Sequence, residues 1–172
     1  MRFFSGFTLQ NEAERFGAWL RRSDYTVAGF SFGAIKAAEY ALHAPERIDT
    51  LQLLSPAFFQ AKPERFKALQ LRAYEKDPEG YEAQFLANCF KPCKAEAVER
   101  RPGSVGELRE LMEYVWTPEL LEAITGRGIR IEVYLGGEDC IIDARGAREF
   151  FLPHATVTWI PKANHFLQEQ PQ

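Results

Sequence analysis

The chain has 172 residues, 46% of them hydrophobic, with a formal net charge of −3 and a pI near 5.7. That length supports one sizeable core, and the acidic balance lacks the basic surplus of nucleic-acid binders. Three cysteines (Cys89, Cys93, Cys140) are too few for a small disulfide framework, and no run approaches the roughly 18 apolar residues of a membrane span.

The opening "MRFFSGF" reaches Ser5 and Gly6 too soon for the apolar region of a signal peptide. A soluble, cytoplasmic protein is the expectation. The pair in "CFKPC" offers half a metal site, but no second Cys or His pair stands at zinc-ligand spacing, so no metal is expected.

Short apolar runs alternate with helical patterns, the signature of parallel strands joined by crossover helices. The expected strands are "RFF" (2–4), "YTVAGF" (25–30), "TLQLLS" (50–55), "IRIEVYLG" (129–136) and "TVTWI" (156–160). After the first strand, "NEAERFGAWLRR" puts Ala13, Phe16, Trp19 and Leu20 on one helical face, with Gln10 or Asn11 near its start. After the second, "FGAIKAAEYALHA" gathers Gly33, Ala34, Ala37 and Ala38 on one side, which lets a helix lie close to a sheet. A further sheet-covering helix fits "ARGAREFFL" at 144–152.

From about Gln60 to Arg127 the sequence has no convincing strand. Amphipathic runs at 63–76, 78–90, 105–116 and 118–125 are broken by "KDPEG", "FKPC", "RRPGS" and "WTP". The expected organisation is an α/β core of 1–59 and 127–172 with a helical insertion at 60–126.

Between the second strand and its helix stands Gly29-Phe30-Ser31-Phe32-Gly33. A Gly-x-Ser-x-Gly in that setting is a nucleophile elbow, a tight turn that lifts the serine hydroxyl above the sheet edge. Phe32 would offer its N–H at the first helical turn to a developing oxyanion. Serine needs a base and an orienting acid. Of the three histidines, His43 falls at a helix end and His154 in a turn, but His165 lies in "PKANHFL" just past the last strand, at the carboxyl edge of the sheet. In "VYLGGEDCIID", Glu138, Asp139 and Asp143 all lie beyond the fourth strand; Asp139 is the choice, being nearest the strand end while past the Gly136-Gly137 turn. The loop "FFSGFTLQ" supplies a candidate second oxyanion donor, the N–H of Phe7.

These motifs resemble the α/β-hydrolase family: "SGF" stands where that family has His-Gly-Xaa, "GFSFG" is its elbow, "GGED" its acid loop and "ANHF" its histidine loop. The family sheet has eight strands in the order 1-2-4-3-5-6-7-8. This sequence has no room for strands 1 and 2 before Arg2 and no counterpart of strand 4 before "YTVAGF". The resemblance therefore implies a five-stranded parallel sheet, 3-5-6-7-8, with the helical insertion as a cap.

More narrowly, "MRFFSGF", "NEAERFGAWL" and "VAGFSFGAIKAAEYAL" in so short a chain look like the compact pimeloyl-acyl-carrier-protein methyl ester esterases of biotin synthesis. That likeness implies a methyl-pimeloyl acyl carrier protein as substrate and partner, and no cofactor. Phe58, Phe59, Phe66, Leu69, Tyr81, Phe85, Leu86, Met112 and Trp116 become candidates for an acyl channel, with Phe59, Phe66, Tyr81, Trp116, Arg65 and Arg72 as the substrate- or partner-binding set. Within 62–101, nine Lys or Arg face seven acids, a surplus that would steer an acidic carrier. Two alternatives stay open: a generic carboxylesterase or thioesterase on small or coenzyme A esters, and a non-catalytic hydrolase-like binding protein.

Overall fold

The computed structural model describes residues 1–169. Five strands, β1 (Arg2–Phe4), β2 (Thr26–Phe30), β3 (Thr50–Leu54), β4 (Arg130–Gly136) and β5 (Thr156–Ile160), form one parallel sheet in sequential order. This is the contiguous five-stranded sheet expected from the sequence. The register puts Val27, Leu51 and Ile131 on one row and Ala28, Gln52 and Glu132 on the next, so alternate residues face opposite sides.

On the first face lie α1 (Phe32–His43), α5 (Pro118–Gly126) and α6 (Ala144–Phe151), which bury Val27, Leu51, Leu53, Ile131, Val133 and Leu135. Ala34, Ala37, Ala38 and Ala41 of α1 are fully buried, which gives the close helix-to-sheet approach that small side chains allow. The other face holds Ala28, Phe30, Leu54 and Ile160 under Phe16, Phe166 and Leu167.

The expected helix over "NEAERFGAWLRR" is reduced to a five-residue 3-10 turn, Glu12–Phe16. Its apolar residues still do what the periodicity implied: Phe16 and Leu20 are buried, and Trp19 packs on Tyr134. What shortens it is competition for its backbone: Trp19 C=O and Arg21 N–H are taken by the Gln52 side chain of β3. The β1–β2 connection runs over the opposite face from α1 and α6 while stepping the same way across the sheet, so its hand is opposite to theirs.

The insertion contains α2 (Glu64–Lys76), α3 (Pro78–Phe90) and α4 (Val105–Glu113), with α3 and α4 both packed on α2. The starts of α3 and α4 are written in the sequence: Asp77 accepts from Gly80 N–H at 3.0 Å with Pro78 at the first turn, and Ser104 accepts from Glu107 N–H at 3.1 Å. The expected boundary at 126 needs correction. Helix α5 packs on α1 and β4, with Leu121 and Ile124 buried in the main core, so it is a sheet-covering crossover and the cap ends before it.

Candidate active site

Ser31 sits between β2 and α1 with φ 53° and ψ −113°, a conformation that a non-glycine residue holds only when its surroundings impose it. Three backbone bonds do so: Ser31 N–H donates to Leu54 C=O at 2.9 Å, and Ser31 C=O accepts from Ala34 and Ala57 N–H, both at 3.1 Å. Gly33 is obligatory here, because a Cβ would come within 2.0 Å of the Phe4 carbonyl oxygen. The end of β1 and the start of α1 are thereby pressed together.

The structure brings the three expected side chains into one chain of hydrogen bonds. His165 Nε2 lies 2.9 Å from Ser31 Oγ, and His165 Nδ1 lies 2.6 Å from Asp139 Oδ2. The other Asp139 oxygen accepts from the N–H groups of Ile141 (2.7 Å) and Ile142 (3.2 Å), which fixes the carboxylate as an acceptor aimed at the ring. The side chains of His165 and Asp139 have no exposure, and Ser31 is 2% exposed. Of the rival acids, Asp143 caps α6 through Gly146 N–H and Glu138 is exposed. His43 is exposed at the end of α1 and His154 packs near Phe150.

The loop carrying His165 is fastened on both sides. A Cβ at Gly136 would lie 2.4 Å from the carbonyl oxygens of Ala163 and Asn164, so the end of β4 must be bare for this loop to pass. Asn164 donates to Phe90 C=O at 2.8 Å, which ties the loop to the end of α3. Phe166 stacks on Phe90 and Phe30, with centroids 4.4 and 4.9 Å apart, and the Phe30 ring lies 5.0 Å from the imidazole.

Phe32 N–H, at the first turn of α1, and Phe7 N–H, in the loop after β1, have no acceptor among the described residues. They are the two donors the sequence marked for an oxyanion.

Beneath the cap, a cavity of about 210 Å³ is lined by Phe59, Phe66, Gln70, Tyr81, Phe85, Asn88, Met112, Cys140 and Ile141. Cys140 and Ile141 directly follow Asp139 in sequence, so the cavity ends beside the acid loop. Tyr81 donates to Gln70 at 2.9 Å, and burial, with the nearby Cys89 thiol, pushes its hydroxyl up to about 12, which keeps it a donor. Burial also pushes the Cys89 thiol well above its ordinary value.

Phe59, Phe66, Tyr81, Phe85 and Met112 are thus at the cavity as expected, while the rest of the set is not. Trp116 is 1% exposed and belongs to the core, its indole N–H donating to Ala57 C=O at 2.8 Å and its ring packed edge-on to Phe151. Phe58 packs on α6, Leu69 is 52% exposed, and Arg65 and Arg72 stand exposed on α2 away from the cavity. The sequence reading missed Gln70 and Asn88, because a polar residue on an amphipathic helix carries no mark of facing a cavity, and Cys140 and Ile141, whose loop was read only for its acid.

No protein-family model matches the sequence, and no curated protein matches it significantly. Solved structures do. A hydrolase from Oleispira antarctica superposes with a TM-score of 0.64 at 14% identity, covering 83% of this chain and 58% of its own. BioG from Haemophilus influenzae gives 0.60 at 13% identity over 95% of this chain and 87% of its own. A carboxylesterase structure from the thaumarchaeon Nitrososphaera gargenis gives 0.59 at 14% over 94% and 66%. The chain therefore spans just under two thirds of the carboxylesterase and somewhat more than half of the Oleispira hydrolase. What these likenesses establish is the fold, a compact α/β-hydrolase architecture on five parallel strands.

Proposed function

We propose that the protein is a serine carboxylic ester hydrolase, and that its substrate is the methyl ester of a pimeloyl group carried on acyl carrier protein. The observation that carries the first part is the imidazole of His165 bridging Ser31 Oγ and Asp139. As Ser31 Oγ bonds to the ester carbonyl carbon, His165 Nε2 takes the hydroxyl proton while Asp139 holds Nδ1–H and stabilises the imidazolium. The N–H groups of Phe32 and Phe7 receive the oxyanion. Collapse breaks the bond to the alkoxy oxygen, which leaves as methanol with the proton from His165. Water then attacks the acyl-serine with His165 as base, and the carboxylate is released.

The substrate class rests on the sequence resemblance and on a cavity in which Phe59, Phe66, Phe85, Met112 and Ile141 offer apolar contact to a methylene chain beside the polar Gln70 and Asn88. A generic carboxylesterase is the second reading, favoured by the carboxylesterases among the fold neighbours.

Mass spectrometry of methyl-pimeloyl carrier protein decides between them. Wild type should remove the methyl group, and Ser31→Ala should lower the rate by about 10⁶-fold. Reversing Arg65 and Arg72 to Glu should slow the carrier-bound substrate while leaving a 4-nitrophenyl ester rate in place. An intact methyl ester beside rapid turnover of short esters would overturn the carrier reading and leave the generic one. A wild type inert on both, and unlabelled at Ser31 by a fluorophosphonate, would overturn the enzyme reading altogether.

A further inference from the structure

We propose that Glu12 is a positioning residue for the oxyanion hole, its buried carboxylate holding the Ser5–Leu9 loop so that Phe7 N–H points toward the ester carbonyl; this rests on the ester-hydrolase reading above. Glu12 opens the 3-10 turn after β1, where an acidic side chain would ordinarily face water. It is instead 3% exposed. One oxygen accepts Gly6 N–H at 2.7 Å, and the other has no hydrogen-bond partner among the described residues. A buried carboxylate with an unmet oxygen costs stability, so packing does not account for it.

What it does account for is the orientation of two successive peptide units. Glu12 fixes the Ser5–Gly6 unit through its N–H. The next unit, Gly6–Phe7, is fixed by Leu9 N–H donating to Gly6 C=O at 3.1 Å. In a trans peptide the C=O and N–H point opposite ways, so a Gly6 carbonyl turned toward Leu9 turns Phe7 N–H the other way. The loop lies on the nucleophile turn: a Cβ on Gly6 would come 2.9 Å from the Phe30 ring, and the Phe4 and Ser5 carbonyls abut Gly33.

Thr8 holds φ 60°, a left-handed conformation that the loop would relax if released. Its far side is joined to the segment between α3 and α4, with Arg101 N–H on Thr8 C=O at 2.9 Å and Gln10 N–H on Glu99 C=O at 3.1 Å. A carboxylate near an oxyanion would oppose it. Arg101, held chiefly by its two hydrogen bonds to Glu107, lies near enough to Glu12 for the Glu12 charge to favour its own as well.

The experiment measures kcat and KM on 4-nitrophenyl butyrate, and fluorophosphonate labelling, for wild type, Glu12→Ala, Glu12→Asp and Glu12→Gln. Removing an oxyanion donor costs about 10²–10³ in kcat. Misaiming one should cost about 10- to 100-fold in Glu12→Ala, with KM within about twofold. Glu12→Gln keeps an oxygen acceptor and should restore most of kcat. If Glu12→Ala does not fold, Glu12→Asp, which withdraws the acceptor by one methylene, should show the same kcat loss at constant KM. A kcat within twofold of wild type in the folded variants, a loss confined to KM, or Gln as impaired as Ala overturns the proposal while labelling of Ser31 leaves the hydrolase reading standing. Wild type that neither turns over the ester nor takes the label overturns that reading first.

Discussion

The two faces of the sheet are built on different chemistry. The face under α1, α5 and α6 is apolar along its whole length, with Leu51, Leu53, Val133 and Leu135 all fully buried. The other face is covered by the β1–β2 connection and the loop after β5, with Cys89 and Phe90 at the end of α3, and it is apolar only at the carboxyl end. One row below, Gln52 and Glu132 are paired across β3 and β4. There Gln52 donates to Glu132 at 3.0 Å, Tyr134 donates to it at 3.0 Å, and Arg21 closes the network at 2.9 Å. A face with little chain to cover it is completed by a hydrogen-bonded network that tolerates water. Its small apolar part is kept for the place where His165 and Ser31 meet.

That division predicts two mutations with similar stability costs and different catalytic ones. Phe16 and Phe151 are both fully buried, one on each face. Truncating either to Ala should cost about 3–5 kcal/mol, read from urea midpoints. Phe16 packs 4.8 Å from Phe30, whose ring touches His165 and whose backbone leads into Ser31, so Phe16→Ala should also lower kcat about tenfold or more. Phe151 contacts Trp116, Phe58 and Phe150 on α6 and its surroundings, so Phe151→Ala should leave kcat within a few fold at a temperature where it remains folded. Equal losses of kcat in the two would break the comparison.

The strands, the helices of the cap and the Ser31-Asp139-His165 set were legible because each rests on a local signal: apolar runs, Asp77-Pro78 and Ser104 caps, a glycine pair at each tight turn. Asp139 was separable from Asp143 only by its nearness to the strand, and the structure supplies the physical reason, since Asp143 is used up as a helix cap. What was not legible depends on pairing over distance. Trp116 and Phe59 read alike as aromatic residues near the insertion, yet one fills the core through a bond to Ala57 and the other lines the cavity. Helix α5 carries the same amphipathic pattern as α4, and only packing tells which covers the sheet. Nothing in "NEAERF" marks Glu12, because the Gly6 N–H that it binds lies six residues earlier.

The smaller effect belongs to the polar row. Burial, the largest single influence on Glu132, pushes its carboxyl up, but the hydrogen bonds from Arg21, Tyr134 and Gln52 and the Arg21 charge together hold it below its ordinary value of 4.5. Glu132→Gln keeps the shape and removes the charge, and should cost about 1–3 kcal/mol at pH 7. A carboxylate held low in the folded state binds its proton more readily when unfolded, so its contribution is complete above that ordinary value and disappears as pH falls through the folded one. Urea midpoints of wild type and Glu132→Gln should therefore differ by a constant amount from pH 7 down to about 5 and converge below the ordinary carboxylate range. Because Gln52 and Glu132 lie two residues short of the Phe30–Leu54–Tyr134 row that leads into Ser31, kcat should be the same in both at pH 7. A midpoint difference that persists at the acid limit would mean that shape and neutral hydrogen bonding, rather than charge, complete the uncovered face.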